Sequence, residues 1–167
     1  MMMAYVDSAL RLQAACTELG ISVTFNFRAN EALIVRARND MAAEFLKSSA
    51  THLLFIDADI GFRPEHVLRL LHFDVEVAGA AYPLKQIDWR KVQRVVEAKR
   101  PNLESSSLDY VVYWEGSGIA GRNGFARVRY AGTGFLMLKR SALVQLCAAH
   151  PELKYKAAVR QEDLAGC

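Results

Sequence analysis

The chain has 167 residues, 52% of them hydrophobic and 23% charged, enough for one ordinary core and too few for two. Lys and Arg number 21 against 18 acids, and this net charge of +3 is too mild and too scattered for a nucleic-acid surface. Three cysteines without metal-ligand spacing exclude a disulfide framework and predict a reducing, cytoplasmic setting. No apolar run is long enough to span a bilayer.

Tyr5, Ala9, Leu12, Cys16 and Leu19 recur at helical spacing, and Gly20 is placed to end that helix in a left-handed cap. Ile21, Val23, Phe25 and Phe27 then alternate with polar residues, which predicts a strand with one wet face. A second helix follows from about Asn30 to Ser48, with Leu33, Ala37, Met41, Ala42 and Phe45 as its inward stripe.

Leu53 to Ile56 shows no polar alternation and reads as a central strand covered on both faces, as in a parallel sheet. It delivers Asp57 and Asp59 to its carboxyl end, where two hard oxygen donors suit Mg²⁺ or Mn²⁺ sharing its shell with phosphate and water. The same acids also fit a plain turn, because Asp caps local amides and Pro64-Glu65 opens the next helix. Val75 to Ala80 predicts another strand, and Asp88 caps a helix to about Lys99.

Residues 100–109 read as an irregular surface connection, and Tyr110 to Trp114 as a strand. Asn123-Gly124 signals a tight hairpin turn into Val128 to Ala131. Gly134 to Leu138 form the last strand, and Ser141 caps a helix ending near Ala149, stopped by Pro151. His52, His66, His72 and His150 lack mutual ligand spacing. The alternation of helices and strands predicts an α/β protein.

In their order, Arg36-Ala37-Arg38-Asn39, Leu54-Phe55-Ile56-Asp57-Ala58-Asp59, Pro64, Ala78-Gly79-Ala80-Ala81-Tyr82-Pro83-Leu84-Lys85 and Ala131-Gly132-Thr133-Gly134-Phe135-Leu136-Met137-Leu138-Lys139 resemble the nucleotide-sugar-dependent glycosyltransferases of the GT-A fold, especially the large inverting family. The resemblance implies a Rossmann-like, mostly parallel mixed sheet flanked by helices, in one domain over residues 1–167 shortened at both ends. It implies transfer of a sugar from a UDP- or GDP-linked donor to a glycan or other hydroxyl acceptor, with Mn²⁺ or Mg²⁺ bridging the donor diphosphate. Asp59 becomes the direct metal ligand, and Asp57 a second ligand or a ribose contact.

By the same resemblance Arg38 and Asn39 lie at the nucleotide, and Gly132, Thr133 and Gly134 line the donor sugar. Tyr82, Lys85 and Trp89 are candidates for the sugar site, although Trp89 reads better as a core anchor of its helix. Asp163, with Glu162 as alternate, stands where such enzymes carry the general base. The shortened ends predict an open sheet edge and hence a homo-oligomer. Two other readings stay open. One is a GT-A-like remnant that binds nucleotide or supports assembly without catalysis. The other is a haloacid dehalogenase-type phosphatase, whose motif departs from this one at Gly61.

Overall fold

The computed structural model describes residues 3–28, 33–115 and 122–153. In chain order the elements are α1 (Met3–Glu18), α2 (Ile34–Lys47), β1 (His52–Ile56), α3 (Pro64–Phe73), β2 (Val77–Gly79), α4 (Trp89–Glu97), α5 (Leu103–Ser107), β3 (Val112–Trp114), β4 (Val128–Ala131), β5 (Phe135–Lys139) and α6 (Arg140–Ala149). Short 3₁₀ turns occupy Arg122–Gly124 and Pro151–Leu153.

Helix boundaries follow local chemistry. Gly20, at φ +67°, takes the left-handed conformation just past α1. Pro64 is the first residue of α3, and the Asp88 side chain accepts from the backbone amides of Arg90 and Lys91 at the start of α4. Residues 103–107, expected to be irregular, wind into α5. The Asn123-Gly124 signal marks a turn with both residues at positive φ, but it lies inside a long β3–β4 connection rather than at a two-residue hairpin.

The main sheet corrects the expectation of a mostly parallel arrangement. Its order is β1-β5-β2, and β5 runs antiparallel to both neighbours. β1 is therefore an edge strand among the described residues, and β5 is the centre. A second sheet pairs β3 with β4, also antiparallel.

The unbroken apolar run of β1 has a different cause from centrality. In register, Leu54 and Ile56 oppose Met137 and Phe135, and this face meets Tyr5, Ala9, Leu12 and Cys16 of α1 and Val67 and Leu70 of α3. Phe55 opposes Leu136 on the other face, beneath the α2 guanidinium of Arg38, 5.6 Å from the ring centroid. Both faces of β1 are covered, although among the described residues one edge carries no strand.

Ile21, Val23 and Phe25 do point inward against the core, so the alternation was informative. The segment nevertheless forms no ladder, because no described strand lies beside it. Leu19 and Leu33, both expected inside, are 60% exposed, and of the α2 stripe only Phe45 is buried.

Candidate functional site

At the end of β1 the backbone turns at once: the Ile60 amide donates to the Asp57 carbonyl at 3.0 Å, closing a turn that holds both acids. Two contacts fix this turn. The Asp57 amide donates to the Gly134 carbonyl at 2.8 Å, tying it to β5, and the Phe62 amide donates to the buried Ser8 hydroxyl of α1 at 2.9 Å. Ser8 in turn donates to the Ala4 carbonyl at 2.7 Å. Phe62 itself is buried, edge-on to Tyr5 and Phe135 at 6.1 and 5.6 Å between centroids. Sequence reasoning did not assign Ser8 a role, since a serine inside an apolar helical stripe carries no motif.

Each acid meets a cation from a distant part of the chain. Arg38 Nη2 donates to Asp57 Oδ1 at 2.7 Å, and the other terminal nitrogen of Arg38 donates to the Thr133 hydroxyl. With a side chain only 20% exposed, lying over Phe55, Arg38 is held on three sides. Lys85 Nζ pairs with Asp59 Oδ2; the lysine side chain is 80% exposed and the carboxylate 31%. Two carboxylates and two cations thus leave the cluster with no net charge.

The Gly132–Gly134 segment crosses this cluster between β4 and β5. The Tyr82 phenolic oxygen accepts from the Gly134 amide at 2.9 Å. A β-carbon at Gly134 would stand 2.7 Å from both Asp57 Oδ2 and the Tyr82 ring, and one at Gly132 would stand 2.4 Å from the Tyr82 hydroxyl. A β-carbon at either position would displace the Tyr82 ring or the Asp57 carboxylate, because backbone, carboxylate and phenol share one small volume.

The chain therefore brings Arg38, Asp57, Tyr82, Gly132, Thr133 and Gly134 together, and sets the Asp59–Lys85 pair on the same turn as Asp57. Asn39 is exposed on α2, one residue beyond Arg38. Trp89, readable as a core anchor, is instead 72% exposed. With Leu84, Ile87 and Asp109 it borders an open cavity of about 360 Å³. Asp163 and Glu162 lie outside the described residues.

Among the described residues, no three His, Cys, Asp or Glu side chains gather round one point. A divalent cation here would take Asp57 and Asp59 and complete its shell with water and ligand oxygens. That donor set fits Mg²⁺ or Mn²⁺, which commonly use one or two carboxylates plus substrate phosphates. No helix among the described residues is long and apolar enough to cross a membrane. No family model, curated protein or solved structure matches this chain.

Proposed function

We propose that the protein binds a nucleoside-diphosphate sugar at the end of β1, with Mn²⁺ or Mg²⁺, and transfers the sugar to a hydroxyl acceptor. The observation that carries this reading is the convergence of Asp57 and Asp59 with Arg38, Lys85 and Thr133, drawn from α2 and from the loops after β1, β2 and β4. Two acids suit a cation; two cations beside them suit an anion that brings such a cation along. A metal diphosphate is a ligand of that chemistry.

When bound, the cation stabilises charge on the departing nucleoside diphosphate. The residues of the chain divide the remaining work. Asp57 and Asp59 hold the cation from a turn pinned to α1 and β5. Arg38 and Lys85 donate to the phosphate oxygens, Arg38 with the planar fork that matches them best. Gly132 and Gly134 let the sugar approach the backbone, and Tyr82 fixes the Gly134 amide. The exposed ring of Trp89 offers an apolar face to a sugar.

The test is a panel of UDP- and GDP-sugars with Mn²⁺, read as release of nucleoside diphosphate. Turnover that disappears in Asp59→Ala supports the reading. Metal-dependent binding of the nucleotides without any turnover on a broad acceptor panel would leave a binding module in place of a transferase. Hydrolysis of a generic phosphate monoester, with no use of nucleotide sugars, would replace both by a phosphatase.

A further inference from the structure

We infer that Lys85 is a counter-ion gate: it occupies Asp59 in the empty site, opposes binding of metal alone, and moves to the diphosphate when metal and nucleotide arrive together. This rests on the reading of the site as one for a metal diphosphate. The argument starts from charge. Asp57 and Asp59 are neutralised one-to-one by Arg38 and Lys85. A divalent cation entering alone would bring two positive charges next to two cations already in place. Arriving with the diphosphate of a sugar nucleotide, which carries two negative charges, it leaves the cluster neutral.

The two cations are not equivalent in their freedom to respond. Arg38 is confined by Asp57, Thr133 and Phe55. Lys85 has an 80% exposed side chain, and its hydrogen bond among the described contacts is to Asp59 alone. Its backbone is held on both sides. The preceding Leu84 amide donates to the Asp109 carbonyl at 2.7 Å, and Asp88 caps α4 just beyond. Only the flexible stem needs to turn, and an ion pair this exposed is weak enough for a divalent cation to displace.

The consequence is reciprocal coupling: nucleotide strengthens metal binding, and metal strengthens nucleotide binding by the same factor. The experiment titrates Mn²⁺ into the protein with and without UDP, in wild type, Lys85→Met and Lys85→Arg, following free Mn²⁺ by its paramagnetic resonance signal and reading binding as the loss beyond a protein-free blank at the same UDP concentration, since UDP itself complexes Mn²⁺. Lys85→Met is expected to bind Mn²⁺ alone about fivefold more tightly, because a competing ion pair and a like charge are gone. It is expected to lose most of the UDP enhancement, whereas Lys85→Arg, which keeps the charge, stays near wild type. Equal or weaker Mn²⁺ binding by Lys85→Met, or an unchanged UDP enhancement, overturns the gate while leaving the metal site standing. If wild type and Lys85→Met both fail to bind Mn²⁺ in the presence of UDP, the site reading itself falls and the gate with it.

Discussion

The two ends of β1 and β5 use cations in opposite ways. At one end Arg38 and Lys85 pair with the side-chain carboxylates of Asp57 and Asp59. At the other end, Arg140 is committed to the backbone. Its guanidinium donates to the carbonyls of Phe45 and Ser48 at 2.8 Å, of Leu46 at 3.1 Å and of Ala50 at 2.8 Å, and lies over the buried Phe45 ring at 4.5 Å. These carbonyls include the orphaned acceptors at the end of α2, which a helix cannot satisfy internally. Arg140 gives its donors to backbone carbonyls, whereas Arg38 gives its donors to two side chains, Asp57 and Thr133.

Removing the structural cation should have the largest effect on stability. Arg140→Ala takes its donor from the carbonyls of Leu46, Ser48 and Ala50 and strips a ring of its cover. The expected loss is about 2–4 kcal/mol in urea unfolding, with nucleotide binding by the folded fraction unchanged. Arg38→Ala should invert this pattern. Nucleotide affinity falls at least tenfold, and unfolding shifts by no more than about 1 kcal/mol because the lost ion pair is partly exposed. Equal stability losses in the two variants would dissolve the distinction between the ends.

Between these extremes stand residues that shape the site's floor. Gly134→Ala forces its new β-carbon onto Asp57 and Tyr82 and should abolish nucleotide binding in calorimetry while far-ultraviolet dichroism is retained. Ser8→Ala leaves the Phe62 amide without its acceptor in the core, an expected cost of about 1–2 kcal/mol in urea unfolding. Nucleotide affinity should weaken with it, since the same contact holds the turn of Asp57 and Asp59.

The smallest effect is electrostatic and sits at the structural end. Asp74 is the left-handed cap of α3, and Lys139 hydrogen-bonds to it at 2.7 Å, with His52 3.6 Å away. The Lys139 hydrogen bond is the main reason its carboxyl titrates below the usual range. A depressed carboxyl pKa stabilises the fold above the unfolded value of about 4 and loses that contribution as pH falls through the folded value. Asp74→Asn keeps the left-handed backbone and removes the charge. It should be slightly less stable than wild type at pH 7, the difference closing as pH falls below about 4 in paired unfolding curves.

Much of this was legible in the residues, and the gaps have physical causes. Helix starts at Pro64 and Asp88 were readable because proline and a capping carboxylate act on their own neighbours. Strand direction was not, since parallel and antiparallel pairing differ in partners rather than in composition. The apolar run at β1 reported two covered faces, while among the described residues the strand lies at an edge and not at the centre, because side chains record what lies above and below a strand and not what lies beside it. Arg38, Asp57, Asp59 and the Gly132–Gly134 segment were found from motif order, and they do converge. The roles of Ser8 and Arg140 were hidden, as both depend on backbone groups that a sequence does not mark. The pairing of Lys85 with Asp59 was also out of reach, being a choice between neighbours that only the folded loops define.

The central claim is that the end of β1 holds a metal diphosphate. Its most direct test is calorimetric titration of UDP and GDP, with and without Mn²⁺, into wild type and Asp59→Ala. The account predicts binding of at least one nucleotide that needs Mn²⁺ and is lost in the variant. Binding that is indifferent to both Mn²⁺ and Asp59, or no binding of either nucleotide, would contradict it.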